Sequence, residues 1–573
     1  MKILMGLAVV LLGGAAMAAD VLVEVETFAE KGGWVVDQQF THTMGSPYLL
    51  AHGMGKPVAD ARGRATFPAA GTYRVWVRTR NWVPGDWPAP GRFKVKVGDR
   101  LLPAEFGTRT GWGWQDGGTV ELPGGDVELR LVDLTGFEGR CDAILFSTDL
   151  ETAPSDTLER PGPEPAPAGR FDVVVVGGGI AGCGAALAAE RQGLKVALIH
   201  DRPRLGGNAS DEVRVHTLGI HGKGEAILSG IDSEHWKNGS AEAIQDTEKR
   251  HRTLDASDVR QFLCWRAYGV QMNGHRIKSV DARHIESGAA LRFEAPVFID
   301  CTGDGWIGFW AGADFRYGRE SRNEFDEGWE KHGDLWSPET PDNRVMGASV
   351  LWNSHRLEKP SSFPEVPWAM DVAKDHAAIN GEWQWEFSHN DLHQINDAEE
   401  IRDHLFRAIY GSFSNAKKNP ENATVELKWV AHIAGKRESR RLVGDYVYTM
   451  KDVTEKRTFP DTVVTEKRAI DVHYQEKLKG KPVDFLSEAL FLRKGEYRIP
   501  FRCLYSRNIE NLMMAGRCFS CSHVGLGGPR VMNTTGQMGI ATGNAAALCI
   551  EHNTTPRGVY ENHLAELRRL CGY

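Results

Sequence analysis

Apolar and polar residues alternate with a period of two in the first quarter of the chain. The clearest stretches are residues 73–80 (YRVWVRTR), 93–97 (FKVKV), 119–123 (TVELP) and 127–131 (VELRL), with turn sequences such as PGGD at 123–126 between them. This period is typical of strands that bury one face, and several such strands with turn signals indicate two packed sheets. We therefore predict an all-β sandwich over residues 20–150.

A proline-rich segment follows the predicted sandwich. Residues 151–169 contain five prolines and few side chains that a core could bury. Such a composition favours extended, semi-rigid backbone, which is typical of a linker between domains. The linker predicts that residues 1–150 can be removed without harming the second domain.

The second domain opens on a continuous apolar run, residues 171–176 (FDVVVV), which is typical of a buried parallel strand. It leads into GGGIAGCG at 177–184 and then an alanine-rich helix former. A G-x-G-x-x-G motif between strand and helix is specific for dinucleotide binding: Gly177 allows the tight turn, Gly179 the approach of a pyrophosphate, and Gly182 close packing of the helix. Asp201, at the end of the next predicted strand, is the expected ribose-binding acid, although His200 occupies the usual position.

Further motifs follow in a fixed order. They are Gly206, Gly207 and Asn208 after the second strand, Gly303 and Asp304 in VFIDCTGDG (297–305), Gly516 and Arg517 in NLMMAGR (511–517), and Gly539 at the end of GGPRVMNTTGQMG (527–539). From residue 170 to the C-terminus the chain thereby resembles the FAD-dependent oxidoreductases, which are flavoproteins with two dinucleotide-binding motifs, and in particular their secreted bacterial members. The resemblance implies that these residues, together with those of the first fingerprint, bind FAD.

The resemblance also implies a multidomain fold, in which the all-β sandwich precedes an α/β Rossmann-like FAD-binding domain over residues 170–573. The FAD lobe is expected at about 170–225, 270–310 and 500–573, and an inserted α+β substrate lobe at about 226–269 and 311–499. Residues 23–34 and 142–149 look like the first and last strands of carbohydrate-binding modules. Four tryptophans in glycine- and proline-rich loops either stack on a sugar or pack on protein: Trp82, Trp87, Trp112 and Trp114.

A flavin carries out the redox step itself, so protein groups are expected to position the substrate and move its proton. Glu212, Arg214 and His216 share one face if residues 211–216 are extended, and there they either orient a hydroxylated substrate or form a local salt bridge. The resemblance places His523 on a loop close to the flavin, where an imidazole suits the role of general base. His473 is a further candidate.

Two other groups of residues leave alternatives open. Cys518 and Cys521 form a C-x-x-C pair, which is either a redox dithiol or two small residues in a packed loop. The KRESRR sequence at 436–441 has five charges in six positions, which either form an ion-pair network or reach an anionic group. No metal site is predicted, because no suitable further ligands lie near the C-x-x-C pair.

The N-terminus has the pattern of an export signal. Lys2 precedes an apolar run over residues 3–12, and AMA at 16–18 is a cleavage motif, so residues 1–18 are predicted to be a signal peptide cleaved near Ala18. The run is short for a membrane span. The net charge of −8 gives no support for nucleic-acid binding, and nine scattered cysteines do not indicate a disulfide framework.

The sequence thus predicts an exported, periplasmic or secreted FAD enzyme that oxidises a hydroxyl of a carbohydrate or glycan-derived substrate by hydride transfer to FAD. The sandwich would bind a polysaccharide that the organism degrades. Three alternatives remain: flavin-assisted, non-redox glycan cleavage, thiol–disulfide oxidoreduction through Cys518 and Cys521, and a glycan-binding protein in which FAD is structural.

Overall fold

The computed structural model describes residues 20–157, 160, 162–234, 236, 240–328, 338–388, 391–475 and 480–573. The predicted signal peptide, residues 1–18, lies outside the described residues. The chain forms two compact units. The first runs up to Val35 and then comprises Tyr48–Pro84 and Ala89–Glu159, and the second comprises Val36–Pro47, Gly85–Pro88 and Arg160–Tyr573.

Ten strands precede the proline-rich segment: β1 Val21–Glu24, β2 Trp34–Asp37, β3 Tyr48–His52, β4 Ala61–Phe67, β5 Gly71–Thr79, β6 Phe93–Val97, β7 Arg100–Leu101, β8 Gly113–Leu122, β9 Gly125–Asp133 and β10 Phe137–Ser147. One sheet has the order β2-β3-β10-β5-β8, with β1 also on β10, and the other β4-β9-β6-β7. Alternate residues of β4 are buried, as the period of two predicts. Phe67 on one sheet packs edge-on against Phe146 on the other, so the predicted sandwich is confirmed.

The residues that the structure describes after this point contain twenty further strands: β11 Ala166–Arg170, β12 Val173–Val176, β13 Val196–His200, β14 Arg260–Leu263, β15 Trp265–Asn273, β16 Arg276–His284, β17 Ala290–Glu294, β18 Val297–Asp300, β19 Phe315–Arg316, β20 Ala348–Ser349, β21 Trp352–Arg356, β22 Glu386–Phe387, β23 Val425–Val430, β24 Gly435–Lys436, β25 Arg441–Leu442, β26 Thr462–Glu466, β27 Ile470–Gln475, β28 Ser487–Leu492, β29 Tyr497–Pro500 and β30 Leu512–Met514. The α-helices are α1 Thr41–Met44, α2 Ile180–Arg191, α3 Glu225–Ile231, α4 Ala241–Asp255, α5 Trp306–Ala311, α6 Arg322–Phe325, α7 Met370–Ala373, α8 Ala398–Lys417, α9 Met450–Thr454, α10 Met532–Glu551, α11 Pro556–Asn562 and α12 Leu564–Leu570. Among the described helices, none is both long and apolar enough to cross a membrane.

A five-stranded parallel sheet organises the second unit, in the order β14-β13-β12-β18-β30. Strand β12 is apolar at every position because both of its faces are covered. Val173 and Val175 belong to the core that contains α2 and α10, whereas Val174 and Val176 belong to the core formed with strands β15–β17. This arrangement is the predicted Rossmann-like α/β fold.

The structure differs from the expected domain limits at four places. Residues 36–47 and 85–88 group with the second unit rather than with the sandwich. Strand β11, within the expected linker, pairs in parallel with β17, and Pro167 is tolerated there because β11 is an edge strand. Strand β14, expected in the substrate lobe, completes the edge of the parallel sheet, and its mixed RQFL sequence lacks the apolar run of the central strands.

Burial decides the role of two of the four tryptophans. Trp82 and Trp114 are 2% and 5% exposed, and their indole N–H groups donate to the carbonyls of Phe137 and Ser155. They therefore cap the sandwich, so that, of the two alternatives, these two tryptophans pack on protein. Trp87 is exposed and Trp112 is half-buried.

Candidate functional site

A cavity of ≈ 400 Å³ lies in the second unit at the carboxyl ends of the parallel strands. Residues that end or directly follow four of these strands line it: Gly177 after β12, His200 on β13, Cys301 after β18 and Gly516 just beyond β30. Open α/β sheets bind their ligands at this edge. The wall continues through the substrate lobe, so that one space joins the nucleotide loop to the inserted segments.

The nucleotide loop has the geometry that its three glycines predict. Gly177 has φ +109°, and a Cβ there would lie 2.2 Å from the carbonyl oxygen of Cys301. A Cβ on Gly182 would lie 1.7 Å from the Gly177 oxygen, so this glycine permits close packing but does not line the cavity. A Cβ on Gly179 would meet only Gly207 Cα, at 3.8 Å, and would project into free space at the start of α2. The first N–H groups of α2 have no side-chain cap and are available to an anion.

His200 supports the loop, and Asp201 faces the cavity. His200 Nδ1 accepts from the Gly178 N–H at 3.0 Å, while Nε2 is 3.1 Å from the carbonyl of Arg204. Burial lowers the pKa of His200 to about 4, which keeps the ring neutral and able to accept. Burial opposes ionisation of Asp201, but the neighbouring charges together outweigh it and lower the pKa of that carboxyl; the strongest of them is Arg266, whose Nη1 is 3.0 Å away. Asp201 is thus an ionised acceptor at the expected ribose position.

Asp304 is the centre of a buried charge cluster on the cavity wall. Its two oxygens accept from Lys436 Nζ and Arg517 Nη2, both at 2.8 Å, and from Ser439 Oγ at 2.7 Å. Burial alone would raise the pKa of Asp304, but the two cations outweigh that effect and lower it. Three segments far apart in sequence are held together at this point, and each contributes to the cavity wall.

The remaining predicted cofactor residues divide into two groups. Gly206, Gly207, Asn208, Gly303 and Gly516 line the cavity. Gly539 does not, because a Cβ there would lie 2.0 Å from the carbonyl of Ala181. Gly539 therefore allows helix α10 to pack closely on α2 instead of touching a ligand.

Glu212, Arg214 and His216 do not share one face. The chain turns after Ser210, and Arg214 has φ +59°, so the alternation expected of an extended segment is broken. Glu212 lies against Arg202 at 3.3 Å and is absent from the cavity wall. Arg214 is buried beside Asp246, at 3.4 Å, and together with His216 it lines the cavity.

Because Glu212 is mostly buried, we predict that the free energy of unfolding depends on pH. Burial raises its pKa to about 7, against an ordinary value of 4.5, in spite of the opposing charge of Arg202. Between these two values the folded state retains a proton that the unfolded chain releases, so the free energy of unfolding falls as pH rises from about 4.5 to about 7. Glu212→Gln should weaken this decline by about 2–3 kcal/mol, measured by urea unfolding across that range. An equal change in the exposed Glu121→Gln variant would contradict the assignment to Glu212.

His523 lies outside the cavity wall. It is 3% exposed, its Nδ1 is 2.8 Å from Glu438 Oε2, and its backbone N–H donates to Glu320 Oε2 at 2.9 Å. The loop follows Gly516 of the cavity wall, but the imidazole of His523 contacts a buried ion-pair network through Glu438, which also pairs with Arg441. The geometry offers it no contact with a substrate in the cavity.

The two cysteines of the C-x-x-C pair are also buried away from the cavity. Cys518 and Cys521 are both free, at most 1% exposed, and burial raises both thiol pKa values well above 9.0. Reactive thiols are accessible and have lowered pKa values. The geometry therefore favours two small packed residues.

The charges of KRESRR form an ion-pair network. In addition to the pair of Lys436 with Asp304, Arg437 pairs with Glu386 at 3.3 Å. Arg441 pairs with Glu438 at 3.3 Å and with Glu320 at 3.0 Å. Arg440 instead contacts an aromatic ring, with its guanidinium 3.9 Å from the centroid of the Phe309 ring. Lys436 and Arg437 also line the cavity, so the segment has a structural role and contributes to the site.

A second polar group on the wall centres on His473. Its Nδ1 is 2.7 Å from Glu386 Oε2, and its Nε2 is 2.9 Å from Asp471 Oδ1 and 3.1 Å from Arg530 Nη2. Burial opposes ionisation of Glu386, but Arg437 and His473 outweigh it and lower the pKa of that carboxyl. No sequence motif marks this group, because its members come from separate strands and a loop.

Residues from the N-terminal part of the chain also line the cavity: Gln38, Gln39, Phe40 and His42. Asp37 and Arg402 anchor this segment as a fully buried ion pair, with Phe40 under the guanidinium at 4.7 Å. Gln39 accepts from the Ala434 N–H at 3.1 Å. Sequence reasoning missed the segment, since it lies between strands assigned to the sandwich.

The residues present fit a dinucleotide. Open space lies in front of Gly179, ionised Asp201 faces the cavity, and Arg214 Nε and Nη1 and Arg517 Nε are buried without a hydrogen-bond partner among the described residues. Buried N–H groups of this kind are costly unless a ligand accepts from them. The site thus combines a backbone anion cradle with further unused donors.

The sequence model of one family, FAD dependent oxidoreductase, matches residues 172–570. No curated protein sequence matches the chain. Similar solved structures include THI4 of Thermovibrio ammonificans, with 20% identity over 26% of this chain and 64% of that chain and a TM-score of 0.22. The chain thus covers less than two thirds of that relative.

Two other solved structures are similar to different parts of the chain. A geranylgeranyl bacteriochlorophyll reductase-like protein of Thermoplasma acidophilum has 15% identity over 67% of this chain and 79% of its own, with a TM-score of 0.31. A family 35 carbohydrate binding module of Clostridium thermocellum has 21% identity over 22% of this chain and 98% of its own, with a TM-score of 0.19.

The match over residues 172–570 spans well over half of the chain and contains the nucleotide loop, Asp304 and Arg517. The protein therefore belongs to the family of FAD-dependent oxidoreductases.

Proposed function

We propose that this enzyme oxidises a hydroxyl group of a carbohydrate or glycan-derived substrate, with FAD as the hydride acceptor. The observation that carries the proposal is the continuity of the cavity. The nucleotide loop at Gly177–Gly179 and the acid–base group around His473 line one space. Charged and polar side chains on a wall that is otherwise mostly apolar, together with the exposed Trp383, suit a hydroxylated ring that has one flatter, less polar face.

The chain offers distinct groups to each part of FAD. The N–H groups at the start of α2 would receive the pyrophosphate, Asp201 the ribose hydroxyls, and Arg214 and Arg517 other acceptor oxygens. When bound, FAD supplies a two-electron acceptor for a hydride from carbon. The protein's own task is then to orient the substrate and to receive the hydroxyl proton.

We assign to His473 the role of accepting the proton of the substrate hydroxyl. Glu386 holds the ring in place through Nδ1, and Glu386 is itself fixed by Ser487 Oγ and the Gly347 N–H, both at 2.7 Å. A carboxylate that orients an imidazole in this way defines which nitrogen is available for proton transfer. Nε2 lies 3.1 Å from Arg530 Nη2 and 2.9 Å from Asp471 Oδ1, two other residues of the cavity wall, so we propose that the substrate hydroxyl displaces Arg530 from this nitrogen before the proton moves.

The purified holoenzyme tests the proposal directly. Anaerobic incubation with a panel of sugars and oligosaccharides should bleach the flavin absorbance band and yield a carbonyl product. If no member of the panel reduces the flavin, the proposed oxidation is wrong. Product formed by chain cleavage at constant flavin absorbance would favour the non-redox alternative, whereas substrate-independent activity on disulfides that Cys518→Ser abolishes would favour thiol–disulfide exchange.

His473→Gln should keep bound FAD and slow flavin reduction by about 10²-fold or more, because general-base assistance typically contributes 10²–10⁴ in rate. Glutamine can still bond to Glu386 but cannot accept the proton. Stopped-flow reduction measures the rate. His523→Gln is the comparison, since the sequence alone favours His523: a large loss of rate in that variant with intact flavin, and none in His473→Gln, would reverse the assignment.

We also propose that the enzyme is exported and that its sandwich binds a polysaccharide. Export is supported by the N-terminal pattern of Lys2, the apolar run and AMA at 16–18. Polysaccharide binding is supported by the resemblance of the first and last strands of the sandwich to those of carbohydrate-binding modules. Mass spectrometry of protein from the native host should give a mature chain that starts near residue 19. Pull-down with insoluble glycans tests binding by the sandwich.

A further inference from the structure

Three arginines gather on the cavity wall around His473: Arg437, Arg468 and Arg530. The exposed fractions of their side chains are 10%, 29% and 12%. Buried or half-buried cations so close together repel one another and lose hydration, which costs free energy unless anions compensate. Such an arrangement indicates a role in binding.

Among the described residues, the carboxylates paired with these cations compensate them only in part. Glu386 pairs with Arg437 at 3.3 Å. Asp471 is shared between Arg468 at 3.2 Å and Arg530 at 3.4 Å. Two carboxylates therefore face three guanidinium groups, and both carboxylates also contact the imidazole of His473.

Two of the guanidinium groups also have unused donors. The Nε atoms of Arg468 and Arg530 are buried and have no hydrogen-bond partner among the described residues. Arginine presents its N–H groups as a planar fork that fits the two oxygens of a carboxylate. An anionic group in the cavity would satisfy these donors and balance the excess charge.

Aromatic side chains lie beside the arginines. Trp383 and Phe491 line the cavity and are 38% and 48% exposed. The Trp383 ring is 5.0 Å from the ring of His473, and its carbonyl accepts from Arg437 Nη2 at 2.7 Å. The guanidinium of Arg468 lies 5.9 Å from the ring of Phe491. A flat apolar surface next to a cationic wall suits a ring that carries a charged substituent.

We propose that the substrate is a sugar acid, whose carboxylate binds to Arg468 and Arg530 while its ring lies on Trp383. This inference rests on the proposed function and gives its substrate class. The carboxylate would anchor the ring beside His473, so that a hydroxyl of the same ring meets the base. Neutral sugars would leave the excess positive charge of the three arginines over Glu386 and Asp471 uncompensated.

Titration of the holoenzyme with hexuronates, their uronamides, the parent neutral hexoses and hexose sulfates tests the inference. Binding is read from perturbation of the flavin spectrum under air-free conditions, and turnover from bleaching. We expect at least one hexuronate to bind about tenfold or more tightly than its uronamide, as a lost charge-assisted hydrogen bond implies. Equal affinity for acid and amide, tighter binding of the sulfates, or no perturbation by any acid would overturn the inference.

Arg468→Gln should lower the preference for acid over amide about tenfold while flavin content stays unchanged. Arg468 is the most exposed of the three arginines, so this substitution is the least disruptive. The matched control is Arg498→Gln, an exposed arginine of β29 that is paired with Glu496 and lies off the cavity wall. An unchanged preference in Arg468→Gln would exclude this arginine as the anchor and contradict the proposal.

The two proposals fail in distinguishable ways. If neutral hexoses reduce the flavin as fast as the acids do, carbohydrate oxidation stands and the sugar-acid inference falls. If hexuronates bind with the expected preference but no sugar of either kind reduces the flavin, the anion site stands and the proposed oxidation falls.

Discussion

Asp37→Asn will lower the free energy of unfolding of the second unit by about 3 kcal/mol or more, because it leaves the guanidinium of Arg402 buried without its main counter-charge. Both side chains of this pair are fully buried. Burial opposes ionisation of Asp37, but the charge and hydrogen bond of Arg402 outweigh it and hold its pKa below the usual range. Chemical denaturation followed by flavin fluorescence measures the loss.

An exposed ion pair is the matched control for this variant. Arg74 and Asp116 also form a short contact, 2.5 Å, but their side chains are 28% and 41% exposed. Asp116→Asn should change stability by no more than about 1 kcal/mol. Equal losses of unfolding free energy in both variants would show that burial does not increase the contribution of the Asp37–Arg402 pair to stability.

The contacts of residues 36–47 within the second unit reverse the expectation that residues 1–150 can be removed without harm. A chain that begins at residue 165 lacks residues 36–47, which belong to the second unit and line its cavity. We expect such a truncated protein to be insoluble or free of flavin, although it retains the whole family match. A soluble, flavin-loaded truncation would show that residues 36–47 are dispensable.

Gly179→Val will abolish FAD binding and leave the fold intact. A Cβ at this position meets no atom nearer than 3.8 Å, so the substitution causes no clash within the protein. The added side chain would instead occupy the space where the pyrophosphate must approach the N-terminus of α2. The flavin-to-protein absorbance ratio of the purified variant should fall to background.

Gly269→Val is the matched control for that substitution. It adds the same side chain at a glycine of β15 that has no atom within 4 Å of an added Cβ and lies outside the cavity wall. Normal flavin content in both variants would mean that the pyrophosphate lies elsewhere. A melting temperature near that of the flavin-free wild type in Gly179→Val separates lost binding from lost folding.

The features that the sequence predicted correctly are local ones. The strand, glycine turn and helix of residues 171–191 occupy one short segment, and each step has a known backbone requirement. The period of two in the first quarter of the chain likewise depends only on neighbouring residues. The folded protein retains both patterns because its tertiary contacts favour the same local structures.

Other features depend on residues far apart in the sequence. Glu386 and His473 are separated by 87 positions, and Asp37 and Arg402 by 365. No motif of fixed spacing in the sequence could therefore predict either pair. The alternation at Glu212, Arg214 and His216 failed for a different reason. A single left-handed residue, Arg214, turned the side chains apart.

The close packing of α10 on α2 has a consequence for how the enzyme is made. Gly539 and Gly543 bring α10 into backbone contact with α2, and β30 joins β18 only at residues 512–514. During translation, α2 and β18 are therefore synthesised more than two hundred residues before α10 and β30, and their apolar residues lack these partners during that interval. Ribosome-bound chains should need chaperone protection throughout that interval, and cofactor loading must wait until synthesis is almost finished.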